Sequence, residues 1–246
     1  MIRSTRGLIA VGALTLILGL IIKLPARLAV HWFAPPEVAI SNIQGSAWSG
    51  RASEASVVGV YVRDVRWDFS PLQLFTGRFS YQVSAAPVSG FIETDMSVGF
   101  SGAMTLSDLK ASLALELFAE AIGIPGLQGS GSFQFDQLEI VDGLAVVADG
   151  TLQVADLVVP IVSRDSLGGY KVEFFTENDG ISASIEDSDG VVDLAGSLQI
   201  KADRSYEFIA EVVALPQTPA GVRRQLQFLP PANERGQQEL RLEGIL

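Results

Sequence analysis

Two tryptophan segments carry the most distinctive side chains of this 246-residue chain. Trp48 lies within residues 45–50, and Trp67 lies within residues 65–71. A large indole ring most often anchors a hydrophobic core, and it is also common at the centre of protein–protein interfaces. The two rings therefore predict core packing, with binding of a protein partner as the alternative.

Side chains that could carry catalysis are scarce. A Ser-His-Asp or Cys-His mechanism needs an imidazole, and the only histidine, His31, stands next to Trp32 beside an apolar run. Cysteine is absent, so a transition-metal site would need carboxylates alone. The acidic residues 186–190 lack the further ligands of a calcium loop and are interpreted as a solvated hairpin. We predict no enzyme activity, no cofactor and no metal, with a carbohydrate-active enzyme as the remote alternative.

Charge and composition narrow the classes of partner. The formal net charge is -11 and the isoelectric point is near 4.5, whereas a nucleic-acid-binding protein needs a basic surface. Without cysteine no disulfide can hold the fold together, so the domain must depend on burying its own apolar area. We therefore expect no nucleic-acid partner and an acidic, water-facing domain.

An N-terminal apolar run predicts a membrane anchor. Between Arg6 and Lys23 every residue is uncharged, and with its apolar flanks and the extended Lys23 side chain the run can span a bilayer. A cleaved signal peptide is the alternative, but residues 24–31 offer no pair of small residues for cleavage. Arg3 and Arg6 precede the run, so the positive-inside rule places the N-terminus in the cytoplasm.

These observations predict a single-pass protein of the cell inner membrane with four parts. The expected parts are a cytoplasmic N-terminus (1–6), a transmembrane anchor (7–24), a juxtamembrane linker (25–36) and a periplasmic β domain (37–246). No later segment has enough consecutive apolar residues to cross a bilayer, so the β domain is expected to lie in the aqueous compartment.

Beyond the linker, apolar and polar residues alternate with a period of two, which is typical of strands with one buried face. Val65, Trp67 and Phe69 alternate with charged residues. The same alternation recurs at Phe79/Tyr81/Val83, Phe133/Phe135, Leu152/Val154, Ile181/Ile185, Leu198/Ile200 and Leu240/Leu242. Tight hairpins are predicted at the pairs Asp142-Gly143, Asp149-Gly150, Asp179-Gly180 and Asp189-Gly190. The pattern predicts a mostly antiparallel sheet.

Only two short helices are predicted in this domain, at residues 114–122 and 220–229. Two short helices cannot cover so many strands. The apolar face must therefore meet a second sheet, close on itself, or remain a groove that something apolar fills. The predicted fold class is all-β: a curved, mostly antiparallel sheet, forming an open half-barrel or a sandwich-like structure, with two short helices after one transmembrane helix.

Three segments in order, residues 24–28, 45–52 and 65–72, resemble the type II secretion system protein N family. The resemblance implies an accessory, non-enzymatic inner-membrane subunit that helps to export folded proteins across the outer membrane. Its partners would be the secretin or inner-membrane subunits, together with inner-membrane lipid around the anchor. The motif residues that the resemblance singles out as structural or partner anchors are Pro25, Gly45, Trp48, Gly50, Trp67 and Pro71.

A looser similarity to AsmA-type periplasmic proteins implies a second function. The curled sheets of those proteins form an apolar groove associated with lipid traffic, which agrees with the uncovered sheet face expected above. A lipid-binding groove is therefore the alternative to a protein-interaction role.

Overall fold

The computed structural model describes residues 11–12, 14–16, 19–33, 38–57, 60–87, 89–99, 102–120, 122–141 and 143–245. The first seven strands are β1 (Val38–Ser41), β2 (Gln44–Gly45), β3 (Ser49–Val57), β4 (Val60–Phe69), β5 (Arg78–Ala86), β6 (Gly90–Gly99) and β7 (Met104–Ala114). The others are β8 (Gln128–Val141), β9 (Leu144–Val158), β10 (Tyr170–Glu177), β11 (Gly180–Asp187), β12 (Val192–Lys201), β13 (Ser205–Ala214) and β14 (Gln238–Ile245).

All of these strands belong to one antiparallel sheet. From β3 to β14 each strand pairs with the next one along the chain, β1 pairs with the outer side of β3, and the two-residue β2 pairs with the start of β3. The sheet is open, with β1 at one edge and β14 at the other. The predicted antiparallel all-β fold is confirmed. The described strands form a single open sheet, and the choice between a half-barrel and a sandwich-like curvature stays a prediction.

The strand register gathers apolar side chains on one face, which we call the apolar face. Directly opposed residues on neighbouring strands point to the same side of a sheet. One row of such residues crosses β4 to β9 and consists of Phe69, Tyr81, Met96, Leu106, Leu138 and Ala148. A second row crosses β7 to β14 and consists of Leu109, Phe135, Gly150, Phe174, Ala183, Leu198, Phe208 and Leu242. The period of two read from the sequence therefore runs through almost the whole sheet.

The opposite face, which we call the polar face, carries the charged and hydroxyl side chains. Its rows alternate with those above, for example Asp68, Gln82, Asp95, Ser107, Gln137 and Asp149 across β4 to β9. These residues can stay hydrated. The next row on this face, Ser80, Ser97 and Thr105, is buried, and the Ser80 hydroxyl contacts Gln73 of the 3₁₀ helix Pro71–Thr76. The apolar face has the greater need of a cover.

Helices cover the apolar face at the two ends of the sheet, and in the middle the 3₁₀ helix Leu115–Phe118 touches it through Phe118, whose ring centroid lies 6.1 Å from that of Phe133. Near β14, Val222 of the helical segment Ala220–Leu226 packs with Leu167, Val192 and Val212. At the other end, Ala26 packs with residues of β3 and of the segment before it. The central cluster, by contrast, consists of strand residues alone: Phe135, Ala148 and Ile181 with Leu109, Phe133, Leu138, Ala145, Phe174 and Ile200. These side chains bury one another, and no large side chain of the described residues is fully buried.

The helices are shorter than predicted. The sequence predicts a helix at 114–122, but the described residues of this range, 114–120 and 122, form the end of β7, a 3₁₀ helix at Leu115–Phe118 and turns. The predicted helix at 220–229 is present as α2 (Ala220–Leu226) and ends earlier. A further 3₁₀ helix spans Pro71–Thr76, and α1 spans Ala26–Phe33 within the predicted linker. The helix prediction at 114–122 failed because β7 pairs with β8 as far as Ala114.

The predicted N-terminus (1–6) and part of the predicted anchor (7–24) lie outside the described residues. Residues 11–12, 14–16 and 19–22 are helical, and large side chains there, such as Val11, Leu16 and Ile22, are more than half exposed. Among the described residues, no helix combines the length and apolar character that crossing a membrane requires.

The predicted Asp-Gly turns have mixed outcomes. The pairs at Gly180 and Gly190 lie at the hairpins that join β10 to β11 and β11 to β12, as expected. Gly143 lies in the turn before β9, while Asp142 lies outside the described residues. Asp149-Gly150 is not a turn but lies inside β9. The Asp149 carboxylate accepts hydrogen bonds from the backbone N–H of Thr176, at 2.8 Å, and from its hydroxyl, at 3.1 Å.

Three aspartates with positive φ lie in strands whose register shifts. Asp64 in β4, Asp108 in β7 and Asp156 in β9 have φ angles of 49°, 50° and 53°. The register of β4 against β5 shifts next to Asp64, and that of β6 against β7 shifts next to Asp108. A bulge bends a strand and increases its twist, and aspartate tolerates the left-handed conformation better than most side chains.

We expect the stability of Asp108 variants to depend on whether the new residue tolerates a positive φ. Asp108→Gly should leave the free energy of unfolding within about 1 kcal/mol of the parent, because glycine adopts this φ without strain. Asp108→Val should lower it by about 1–3 kcal/mol, because a β-branched residue is strained there. Urea unfolding followed by circular dichroism measures both. Asp193→Val is the control, since Asp193 pairs in regular register and a surface change there should cost under about 0.5 kcal/mol. Equal losses at both positions would contradict the bulge.

Candidate functional site

The segment between β2 and β3 forms a closed hairpin turn that presents Trp48. The backbone N–H of Ser46 donates to the carbonyl oxygen of Ser49 at 2.9 Å. The Ser46 hydroxyl oxygen accepts from the backbone N–H groups of Trp48 and Ser49, each at 3.2 Å. A serine at the start of a turn satisfies backbone donors in this way. The turn therefore holds the indole of Trp48 in a fixed position.

Two glycines allow the strands on either side of this turn to approach closely. Gly45 pairs with Gly50 and has a φ of 98°, a conformation that favours glycine. A Cβ atom at Gly50 would lie 2.5 Å from the Gln44 carbonyl oxygen and 2.5 Å from Cζ2 of Trp67. No side chain fits at this position. The ring of Trp67 thus packs directly on the backbone of Gly50.

Both tryptophans connect the hairpin turn to its surroundings through their indole N–H groups. Trp48 Nε1 donates to the carbonyl oxygen of Ile21 at 2.8 Å, and Trp67 Nε1 donates to that of Ser46 at 3.2 Å. Ile21 lies near the end of the helical residues 19–22, and its carbonyl oxygen also accepts from the backbone N–H of Leu24 at 3.1 Å. Trp48 therefore adds a second donor at this helix end.

The backbone after Ile21 also joins the hairpin turn. The Ala47 N–H donates to the Leu24 carbonyl oxygen at 2.8 Å, and Pro25 forms an isolated β-bridge with Ser46. Pro25 has no N–H to donate to the hairpin turn, so the hydrogen bond between the two segments uses the N–H of Ala47 in the turn. We call the contact region formed by residues 21–26, residues 45–50 and Trp67 the helix–sheet junction. It fixes the direction in which the chain enters the sheet.

The first turns of α1 complete the packing at the junction. Ala26 is 1% exposed and lies against Ile43 and Ala52, with Val65 and Trp67 packed around them. Arg27 Nε donates to the Ile43 carbonyl oxygen at 3.1 Å. A small residue at 26 lets the helix approach the strands closely. The junction is therefore a small core with hydrogen bonds along its rim.

A row of aromatic rings leads from the junction onto the apolar face. The ring centroid of Phe69 lies 4.8 Å from Trp48, 5.3 Å from Tyr81 and 6.5 Å from Phe79, in tilted arrangements that aromatic pairs favour. The Phe69 N–H donates to the Trp48 carbonyl oxygen at 2.6 Å. Burial raises the pKa of the Tyr81 phenol above its ordinary value, so that this ring stays neutral. The rings form one continuous contact.

Directly after this row, Pro71 opens the 3₁₀ helix Pro71–Thr76, a position that suits its fixed φ. This helix exposes two apolar side chains, since Leu72 is 79% exposed and Leu74 is 43% exposed. They lie three and five residues beyond Phe69, the last residue of β4. Exposed apolar side chains of this kind form a surface suited to contact with another protein.

The polar face carries a separate hollow of about 460 Å³ between β4 and β7. Its lining includes Arg66, Asp68, Glu93, Asp95, Asp108 and Lys110. Among the described residues, no three or more His, Asp or Glu side chains are arranged to hold a metal ion. His31 is on α1 and does not line the hollow. The lining offers carboxylates and cations to water but no paired nucleophile and base.

The structure brings five of the six predicted site residues together. Pro25, Gly45, Trp48, Gly50 and Trp67 meet in the helix–sheet junction, whereas Pro71 begins the 3₁₀ helix two residues after Phe69. The sequence did not single out Phe69, Arg27 or Leu72, although all three lie within the segments that carried the family resemblance. The alternation of apolar and polar residues through Trp67 and Phe69 was the sequence signal that could have identified Phe69.

Comparisons with known proteins agree on one family. The family described as "Type II secretion system (T2SS), protein N" matches residues 36–241. A protein of Aeromonas hydrophila named "Type II secretion system protein N" is 26% identical over 92% of both chains. A protein of the same name from Vibrio cholerae serotype O1 is 22% identical over 94% of both chains. No solved structure matches this chain at a significant level.

We expect Gly50→Ala to disrupt the junction. The added methyl group has backbone and an indole ring at 2.5 Å, so the free energy of unfolding should fall by more than about 2 kcal/mol. Gly221→Ala in α2 is the matched control, because its nearest neighbour would be the Val162 carbonyl oxygen at 3.5 Å. Alanine in a helix should there raise stability by about 0.5–1 kcal/mol. Urea titration of both variants gives the comparison, and similar behaviour of the two would argue against close packing at Gly50.

Proposed function

The chain belongs to the type II secretion system protein N family, and we propose that it is an accessory, non-enzymatic subunit of that system which acts by protein–protein contact. In this proposal it resides in the inner membrane with its N-terminus in the cytoplasm and its sheet in the periplasm. It assists the export of folded proteins across the outer membrane. The observation that carries the proposal is the family match, which extends over residues 36–241.

The junction supports a scaffold role. It ties helical residues that end near Ile21 to the first strands of the sheet by hydrogen bonds of 2.8 Å from Trp48 and Ala47. A protein that positions partners relative to a membrane needs such a stiff connection between its anchor and its domain. Five of the six motif residues act, in this proposal, by holding that connection, and Pro71 begins the 3₁₀ helix after β4.

We assign the contact with another secretion component to the 3₁₀ helix Pro71–Thr76. Leu72 and Leu74 are exposed there, and Gln73 fixes the helix to β5 through its contact with the Ser80 hydroxyl. Interfaces gain most of their energy from a few anchor residues. The expected partner surface is the apolar groove of a secretin or of an inner-membrane subunit.

We expect the double substitution Leu72→Glu with Leu74→Glu to separate partner binding from folding. Both side chains point into water, so the sheet should fold normally, whereas two buried charges would weaken an interface by about tenfold or more. The measurement is co-purification of secretion components with the tagged full-length chain, together with the amount of exported protein in the medium.

Ile161→Glu is the control, because Ile161 is 70% exposed in a turn far along the chain from the 3₁₀ helix. It should leave both readouts unchanged. The proposed function itself fails if deletion of the whole gene leaves secretion intact and no secretion component co-purifies with the parent protein. Normal secretion by the double variant alone would instead remove only the assignment of the contact to Leu72 and Leu74.

The middle of the apolar face favours a second candidate function, the binding of lipid acyl chains. The cluster around Phe135, Ala148 and Ile181 consists of strand residues, and the 3₁₀ helix Leu115–Phe118 touches it at Phe133, whose ring centroid lies 6.1 Å from that of Phe118. Covering such a surface with hydrocarbon would stabilise the complex by about 0.8 kcal/mol per buried methylene group. Lipid binding would then occur on the face opposite the charged hollow.

Native mass spectrometry of the full-length chain released from membranes tests this candidate. We expect a lipid-sized mass on the parent protein and its loss in Leu106→Glu, because that carboxylate would project from the apolar row between Met96 and Leu138. Gln134→Glu, on the exposed polar face of β8, should keep the bound mass. A parent protein that carries no lipid under these conditions would end the candidate.

A further inference from the structure

The outer side of β14 is a free sheet edge. β14 pairs with β13 from Gln238 to Ile245 without any shift in register, and no described strand pairs with its other side. Every second residue of such a strand turns its N–H and C=O groups away from the neighbour. The sequence of this strand contains no proline, no lysine and no bulge, which are common protections of an edge.

The opposite edge of the sheet is protected. There β1 is only four residues long, β2 covers the start of β3, and the packing of Ala26 against Ile43 brings α1 to the same end. If β14 of one copy paired with β1 of another, only the four residues of β1 could form hydrogen bonds. If β14 of one copy pairs with β14 of another, the longer free edge of both copies is paired, and the result is a closed dimer with two-fold symmetry.

The charges of β14 are arranged for antiparallel pairing with themselves. Glu239, Arg241 and Glu243 share one face, and Leu240 and Leu242 share the other. If Leu242 of one copy lies opposite Leu242 of another, Arg241 of each copy lies opposite Glu243 of the other. Opposite charges at directly opposed positions stabilise a sheet, and like charges destabilise it. A register centred on Arg241 would instead oppose like charges at every charged position.

We propose that β14 pairs with β14 of a second copy of this chain, antiparallel and centred on Leu242, so that two sheets become one continuous sheet. In this register residues 239–245 of both strands are paired. The two Arg241 side chains, now 2.5 Å from Glu207 and 3.9 Å from Glu243 of their own chain, gain a carboxylate from the other copy. The Leu242 side chains, 51% exposed in one copy, cover one another and extend the apolar face across the two-fold axis.

A cysteine cross-link tests the register directly, because the chain contains no cysteine of its own. In the proposed register the two Leu242 Cα atoms lie about 4.5–5.5 Å apart, a separation that a disulfide can bridge. Leu242→Cys in the full-length chain, oxidised in cell membranes, should give a disulfide-linked dimer on a non-reducing gel. Leu240→Cys is the matched control, because its two copies would lie about 13 Å apart and should not cross-link.

Charge exchange provides an independent test that also checks folding. Arg241→Glu and Glu243→Arg should each lower the yield of Leu242→Cys dimer by about tenfold, because each places like charges opposite one another. A mixture of the two variants, carrying different tags, should restore a dimer that contains both, because every charge then meets its opposite. A restored mixed dimer also demonstrates that both variants fold.

The proposal is overturned by any of three results. The first is that Leu242→Cys does not cross-link while circular dichroism shows the folded sheet. The second is that Leu242→Cys cross-links only to a different protein. The third is that Leu240→Cys cross-links to the same extent as Leu242→Cys. Each result is independent of the secretion readout used for the proposed function. A chain that dimerises in this way yet plays no part in secretion would leave the pairing intact.

Discussion

A single ladder of antiparallel hydrogen bonds determines the arrangement of everything else in this protein. Because each strand from β3 to β14 pairs with its neighbour in the chain, one sheet forms, and the period of two assigns each side chain to one of its faces. The apolar row from Leu109 to Leu242 follows from that register. So does the charged hollow on the other face, whose Asp68 and Asp95 lie in the opposing row. A slip of one residue would exchange the two faces.

Among the described residues this arrangement gives one sheet layer, where most domains have two layers. The helices α1 and α2 pack on the ends of the apolar face, and in the middle the cluster around Phe135 packs on itself and on the 3₁₀ helix Leu115–Phe118. Three surfaces of the described residues carry our proposals: the exposed leucines of the 3₁₀ helix Pro71–Thr76, the middle of the apolar face, and the edge at β14. In these proposals a protein partner, an acyl chain and a second copy each bind one of them.

The sequence predicted the strands better than the interruptions between them. The alternation of apolar and polar residues through Trp67, Phe69 and Phe135 shows which face of each strand is apolar, so the all-β fold could be predicted from it. Asp149-Gly150 has the composition of a turn, but its pairing with Phe135 and Phe174 keeps it in a strand. Pairing with neighbouring strands determined the conformation at Asp149-Gly150. The same holds near residue 114, where the sequence pattern is helical but the chain continues as β7. Bulges such as that at Asp108 leave no distinct local pattern.

The site was predictable as a set of residues but not as a contact. Trp48, Trp67 and the glycines were marked by their unusual types and by the family resemblance. That the Trp48 indole reaches the Ile21 carbonyl oxygen, 27 residues earlier, depends on the position of a turn in space. The exposure of Leu72 could not be predicted, because a leucine after Pro71 gives the same sequence pattern whether its side chain is buried or exposed.

The order of the strands also bears on how the protein is made. With the exception of β1, which must wait for β3, each strand finds its partner in the segment synthesised immediately before or after it. Pairings between segments close in sequence form quickly, because little chain entropy is lost in closing each loop. The sheet can consequently grow one hairpin at a time as the polypeptide emerges, with each finished strand serving as the template for the next and only the leading edge incomplete at any moment.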